Sequence, residues 1–305
     1  MYKRQVRLIT STLAPTPADS AAGPGGPRLS LKLEGLQPTG SFKVRGALAA
    51  LEALDPPRPV ITASAGNHAL GIAFAAARLG RPAVVVTSTT ASPAKIAAIR
   101  RFGVELIQAG TSYDEAEAHA LERAARDGLH YVSPYNDPHV IAGQASIGAE
   151  LAVQLPGPLT VVCAVGGGGL ASGLGLWAST RGDVRVIGVE AAASPAVSAA
   201  VQAGRPVPVE VTDTLADGMA GNLEPGSVTV GLVARYVDAL VTVSEDEIRA
   251  AIRYLVTERG VVAEGAGAAP VAAVLAGTVP DGAGTVAVVS GRNIAAPVLA
   301  AVLAG

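Results

Sequence analysis

Eight apolar runs of strand length recur along the chain, at Leu29–Leu33, Pro59–Thr62, Ala83–Thr87, Val104–Ile107, Thr160–Val165, Val184–Val189, Ala239–Val243 and Thr285–Val289. Between most of them lie segments of helical length and period, such as Pro93–Arg101, Tyr113–Arg126 and Glu245–Glu258. Adjacent parallel strands need a long crossover, usually a helix. The alternation therefore predicts an α/β chain of mostly parallel twisted sheets flanked by helices. Ser244 followed by Glu247 is a capping-box pair, and Ser41 is placed to cap a helix over Phe42–Leu54. Residues Ala14–Pro27, rich in Pro, Gly and Ala, read as a surface loop, and Met1–Arg7 shows no clear period.

A length of 305 residues suggests two domains or one large α/β unit. Half the residues are hydrophobic but only 3% are aromatic, so the core must be built from closely packed Ala, Val, Leu and Ile. The 23 basic and 25 acidic residues leave a net charge of -2 without runs of one sign, which offers no footprint for nucleic acid or an anionic membrane. A small-molecule partner is favoured. One cysteine rules out an internal disulfide framework, and no signal peptide opens the chain, so the cytoplasm is the expected setting. The uncharged stretch Leu151–Thr180 is long enough to span a membrane, yet it holds Pro156, Pro158 and the run Gly166–Gly169; it reads as helix end, buried strand, glycine loop and new helix.

Four segments could carry chemistry. In Gln37-Pro-Thr-Gly-Ser-Phe-Lys-Val-Arg-Gly-Ala47, a turn precedes a helix whose first turn holds Lys43 behind Phe42. The positive end of the helix dipole disfavours the ammonium and favours a nucleophilic amine; an ordinary exposed helical lysine is the other reading. Ser64-Ala65-Gly66-Asn67-His68 lies between a strand and an Ala-rich helix and offers N–H groups and a hydroxyl suited to a carboxylate, unless Ser64 or Asn67 is only an N-cap. Val165-Gly166-Gly167-Gly168-Gly169-Leu170 allows close backbone approach to an anion such as phosphate. It lacks the Lys-Ser/Thr of a nucleotide P-loop. Gly166, Gly168 and Ala171 also fit G-x-G-x-x-A, and Glu190 ends the next strand where a ribose-binding acid would lie, so a dinucleotide site stays open. Finally, Ser290 in Val289-Ser-Gly-Arg-Asn293 follows the last strand, where it could meet a ring nitrogen. Cys163 reads as a core residue. His119, His130 and His139 share no ligand spacing and read as surface or capping residues; no metal is expected.

In this order, together with Ser133-Pro-Tyr-Asn136 and Ile141-Ala-Gly-Gln144, the segments resemble the fold-type II pyridoxal 5'-phosphate (PLP) enzymes, whose architecture is tryptophan synthase β-like. Within these the chain is most similar to the serine/threonine dehydratase and serine racemase branch, from about Leu29 to Asn293. The resemblance implies that Lys43 carries PLP as a Schiff base and removes the Cα proton. It further implies that Phe42 and Asn136 lie near the cofactor, that Asn67 bonds its 3'-oxygen, that Gly166–Gly169 and Leu170 bind its phosphate, and that Ser290 faces its ring nitrogen. Ser64–His68 would take the substrate carboxylate. A large cofactor-binding domain, residues 1–58 and 137–305, with a small mobile domain inserted at 59–136, follows from the same likeness, as does a homo-oligomer.

The implied activity is β-elimination on L-threonine or L-serine, giving 2-oxobutyrate or pyruvate and ammonia. Related cysteine and threonine synthases usually carry Asn-Thr at the place of Asn67-His68 and an acid near Val44 or Arg45, which argues against their reactions. Racemases of the branch carry a serine at the place of Ala65, so slow racemisation is expected here. A racemase, a 3-hydroxyaspartate or phenylserine lyase, and an NAD-binding or non-catalytic ligand-binding protein are the competing readings. Leu70 stands where the family has Gln, and Arg292 where it has Gly, which places a bulky charge beside the Ser290 loop. Glu190 matches one acid of the cation site of some relatives, but Ala196 stands at the place of its aspartate. The usual Thr-Pro-Leu appears only as Ser11-Thr-Leu13, and the carboxy-terminal sensor domain of isoleucine-regulated relatives is not expected after Ala301.

Overall fold

A computed structural model describes residues 13–15, 29–279 and 284–305. Along the chain run β1 (Leu13–Pro15), β2 (Leu29–Leu33), α1 (Lys43–Ala53), β3 (Val60–Ala63), α2 (Asn67–Leu79), β4 (Ala83–Thr87), α3 (Pro93–Arg100), β5 (Glu105–Gln108), α4 (Tyr113–Asp127), β6 (His130–Tyr131) and α5 (Pro138–Gln154). Then follow β7 (Leu159–Ala164), α6 (Gly169–Ala178), β8 (Val184–Ala191), α7 (Ala196–Ala203), α8 (Thr229–Tyr236), β9 (Ala239–Val243), α9 (Glu245–Thr257), α10 (Gly265–Leu275), β10 (Thr285–Val289) and α11 (Ala296–Ala304). All eight expected strands are present within one or two residues at each end. Of the loop expected over Ala14–Pro27, Ala14 and Pro15 instead pair with β2; the rest, with Met1–Arg7 and Ser11-Thr12, lies outside the described residues.

The chain forms two compact units, Phe42–Gln144 and Ala145–Gly305 with the described part of Met1–Ser41. The smaller carries a wholly parallel sheet in the order β5-β4-β3-β6. Ile61, Ala63, Val84 and Val86 pack on Ala116, Ala120 and Ala124 of α4 on one side. On the other, Val85 meets Ala69 and Ala73 of α2 and Ile99 of α3. Small alanines at helical spacing let these helices lie close on β-branched strands, which is how a core with few aromatics reaches packing density. The boundary of this unit takes in residues 42–58 and 137–144, because α1 packs on α2 and touches the first turns of α5.

The larger unit has the strand order β1-β2-β10-β7-β8-β9, parallel except for β1. Its core joins Leu31, Val162, Ile187 and Val289 of the sheet to Ile248, Ile252 and Leu255 of α9 and the alanines of α10. The capping box of Ser244 and Glu247 forms as its spacing requires. Ser41 does not act as the N-cap of α1: that place falls to Phe42, with no side-chain cap bond, because Ser41 is held in an antiparallel bridge with Gly291. The Leu151–Thr180 stretch resolves into the end of α5, β7, the glycine loop and α6. No helix of the described residues is long and apolar enough to cross a membrane.

Candidate active site

In both units the chemically marked segments follow the C-terminal ends of neighbouring parallel strands, where open α/β sheets bind ligands. Ser64–His68 follows β3 and Ser133–Asn136 follows β6, its sheet neighbour. Gly166–Gly169 follows β7 and Ser290 follows β10, its neighbour in the other sheet.

In the smaller unit, Lys43 opens α1, and its Nζ donates to the carbonyl of Pro134 at 2.7 Å while lying 5.2 Å from the centre of the Phe42 ring. Two glycines bring α1 this close to its neighbours. A Cβ on Gly71 of α2 would stand 3.1 Å from the Lys43 carbonyl oxygen; one on Gly143 of α5 would stand 2.6 Å from the Arg45 carbonyl oxygen and 2.6 Å from Gly46 Cα. Only bare backbone fits the second crossing.

Around Lys43 the loops are braced by short-range bonds. Ser64 Oγ accepts from Gly66 N at 3.1 Å, and Gly66 rather than Ser64 or Asn67 is the N-cap of α2, with no side-chain cap bond. Ala65 adds only a methyl group to that turn. Ser133 Oγ accepts from Asn136 N at 3.0 Å, and Asp137 Oδ1 accepts from His139 N and Val140 N at 2.7 and 3.0 Å, so Pro134 sits in a closed turn. His68 is buried, and its Nε2–H donates to the Val132 carbonyl at 3.2 Å; Nδ1, then a bare acceptor, has no hydrogen-bond partner among the described residues. Burial first, and the positive charge of Lys43 second, hold the His68 pKa down at about 3. The ring is neutral and brings no cation to the Ser64–His68 turn.

In the larger unit the glycine loop is shaped by contacts only glycine permits. A Cβ on Gly166 would stand 2.9 Å from Met219 Cα, and Gly168 has φ +86 and abuts Thr229. Gly168 is the N-cap of α6 without any side-chain cap bond, Gly169 begins the helix, and Leu170 is buried behind them. The Gly167 carbonyl accepts from Thr229 Oγ1 at 2.7 Å. Ser290 is buried, with Oγ 3.3 Å from the Ala266 carbonyl. The turn leading toward Lys43 is fastened in this unit: Arg292 N donates to Gly40 O at 2.9 Å, Asn293 Nδ2 to Thr39 O at 2.9 Å, and Asn293 N to Glu264 Oε2 at 3.1 Å. Arg292 is exposed and its stem lies over Gly35, so its charge is directed to solvent. Leu70 packs against the core beneath α2.

Glu190 is not available as a ribose acid. Its buried carboxylate accepts from Val197 N at 2.8 Å, from Ser198 N at 3.0 Å and from Ser198 Oγ, capping α7. Burial raises its pKa, against the lowering effect of these bonds. Cys163 lies inside β7, where burial pushes its thiol up to about 12. Among the described residues no group of three His, Cys, Asp or Glu could hold a metal ion. Sequence reasoning missed Thr229, Gly71, the Pro134 carbonyl and Glu264, whose contacts to the marked segments are not announced by any local motif.

The chain matches the profile of the pyridoxal-phosphate dependent enzymes over residues 9–291. It belongs to that family. Among curated relatives it is 46% identical over 273 residues to an L-threonine ammonia-lyase of Thermotoga maritima and 44% identical over 270 residues to one of Geobacter sulfurreducens. These matches take in 88% and 86% of this chain but 68% and 66% of the relatives, so the chain spans about two thirds of their length. Among solved structures, the processed form of threonine deaminase isoform 2 from Solanum lycopersicum superposes with a TM-score of 0.89 at 35% identity, covering 97% of this chain and 82% of that one.

The residues present fit the family's cofactor. An uncapped helix start behind a glycine turn, with a Cβ excluded at Gly166 and strained at Gly168, suits a phosphate group. A primary amine beside a neutral histidine suits an aldehyde.

Proposed function

We propose that this chain is a PLP-dependent ammonia-lyase that converts L-threonine, L-serine or both to 2-oxobutyrate or pyruvate and ammonia. The observation that carries this reading is Lys43: its amine is held on the Pro134 carbonyl in the same unit as the Ser64–His68 turn. The identity to relatives named as threonine ammonia-lyases supports the choice of reaction.

In this reading Gly166–Gly169 and Leu170 hold the cofactor's phosphate through backbone N–H groups. Phe42, Asn67 and Asn136 would help to hold the cofactor, and Ser290 would offer its ring nitrogen a neutral hydroxyl. When bound, the cofactor supplies an electron sink that lets the Cα–H bond break. Ser64 and the N–H groups of Ala65, Asn67 and His68, joined by that of Gly66 once it leaves Ser64 Oγ, bind the substrate carboxylate; a neutral His68 leaves that work to N–H dipoles at the start of α2. Lys43 would take the proton from Cα and return a proton to the β-hydroxyl, which leaves as water; the released enamine would hydrolyse to keto acid and ammonia. Ala65, on the face opposite Lys43, can neither take nor give a proton, so little D-isomer is formed. Domain mobility over residues 59–136, a homo-oligomer and a cytoplasmic setting belong to the same proposal.

Keto acid and D-isomer release should be measured across L-threonine, L-serine, 3-hydroxyaspartate and phenylserine. The expected result is keto acid from threonine, serine or both with little D-isomer. Release only from 3-hydroxyaspartate or phenylserine, or a predominance of D-serine, would overturn the assignment.

A further inference from the structure

Resting on the reading of Gly166–Gly169 as the phosphate cradle, we propose that Thr229, backed by Ser227, is the positioning residue that sets the cradle for phosphate. The two hydroxyls form a chain with a fixed direction. A carbonyl can only accept, so the proton of Thr229 Oγ1 goes to Gly167 O at 2.7 Å. The bond between Ser227 Oγ and Thr229 Oγ1, at 2.7 Å, must then have Ser227 as donor. Both side chains are buried, Thr229 completely and Ser227 to 7% exposure, so water does not compete for these protons.

The consequence lies in the peptide joining Gly167 to Gly168. In a trans peptide the carbonyl and the following N–H point in opposite directions. Pinning Gly167 O on Thr229 therefore turns the Gly168 N–H away from Thr229. Gly168, at φ +86, lies in a region where the backbone is otherwise free to flip, and it is the N-cap of α6 with no side chain to hold it. Thr229 also closes the space beside this residue: a Cβ on Gly168 would stand 3.0 Å from Thr229 Cβ. A donor on the carbonyl also polarises the amide, strengthening its N–H as a donor to an anion.

The test compares binding of PLP and of pyridoxal, which has the aldehyde but no phosphate, to the apo-form of the full chain, read by the visible absorbance of the lysine adduct. Thr229→Val keeps the buried shape and removes the hydroxyl; Thr229→Ser keeps the hydroxyl. For Thr229→Val the ratio of PLP to pyridoxal affinity should fall about tenfold, equivalent to about 1.4 kcal/mol. Inorganic phosphate should compete with PLP more weakly by a similar factor, and Thr229→Ser should stay within about twofold of the parent. Should Thr229→Val not fold, Ser227→Ala reads the same ratio with about a threefold fall expected. An unchanged ratio, or equal losses for PLP and pyridoxal, would overturn the role of Thr229. A parent protein that binds PLP no better than pyridoxal would instead sink the cradle reading itself.

Discussion

One substitution, Gly to Ala, should have three different outcomes at three helical positions, and the differences follow from the backbone alone. In a helix interior it gains about 0.5–1 kcal/mol by reducing chain entropy in the unfolded state. Gly231 on α8 has nothing within 4 Å of an added Cβ, so Gly231→Ala should realise that gain. At Gly143 the methyl would stand 2.6 Å from a carbonyl oxygen and 2.6 Å from Gly46 Cα. Neither is the end of a flexible side chain, so α1 and α5 must separate; overpacking costs about 1–3 kcal/mol, leaving a net loss of about 1–2 kcal/mol. At Gly71 the contacts, 3.1 Å to Lys43 O and 3.3 Å to Ala47 Cβ, require movement of only a few tenths of an ångström, so stability should change by less than about 0.5 kcal/mol. The atom that moves there is in the backbone of Lys43, so turnover should fall about three- to tenfold without a matching loss of stability. Urea midpoints at constant m-value, with keto acid release for Gly71→Ala, check the series. A Gly143→Ala protein as stable as the parent would refute the helix crossing on which the placing of Lys43 depends.

Lys43→Ala should abolish the borohydride-reducible adduct with PLP and cut turnover by several powers of ten while the protein stays folded; normal activity with a reducible adduct would refute the central assignment. His68 should make the protein less stable in mild acid. Its folded pKa, about 3, lies below the ordinary 6.5, so as pH falls below 6.5 the unfolded chain takes up a proton that the folded one refuses, removing about 2 kcal/mol between pH 7 and 5. His68→Gln should show a correspondingly shallower fall in urea midpoint over that range, and an identical slope would refute the burial of a neutral ring. If residue 65 faces Cα from the side opposite Lys43, as proposed, Ala65→Ser should raise the ratio of D-isomer to keto acid, because it adds a proton-carrying oxygen there; chiral chromatography of the products reads it, and an unchanged ratio would place residue 65 away from Cα.

The sheets were legible because their inner strands β3, β4, β7 and β10 are continuous apolar runs buried on both faces, as central parallel strands must be, while the edge strands β5 and β9 are only half-buried. β6 was not, since His130-Tyr131 is two residues long and carries no pattern of its own. The marked loops were legible as local motifs at strand ends, but what holds them was not. Ser41 has the composition of an N-cap and loses that role to Gly291, which pairs with it from the far end of the chain. Glu190 has the position of a ribose acid and is occupied by the backbone of α7, because spacing tells where a carboxylate stands and not whether its lone pairs are free. Arg292 looks obstructive as a letter and is harmless as a side chain that leans on Gly35 toward solvent.

The electrostatics around Lys43 follow from the same packing. The start of α1 disfavours an ammonium there, whereas the Pro134 carbonyl stabilises whichever form donates to it, and the charged form donates more strongly. A charged His68 would add a second cation to this balance. Burial removes it: with its Nε2–H held by Val132 and its pKa at about 3, the ring stays neutral through the physiological range. The effect is reciprocal, since the charge of Lys43 is itself one cause of the lowered His68 value. The proton that matters for chemistry is thereby confined to one site. On the proposed reading, a proton passed to or from the Lys43 amine then meets no titrating imidazole beside it, which is the condition a single residue would need to serve as both cofactor anchor and base.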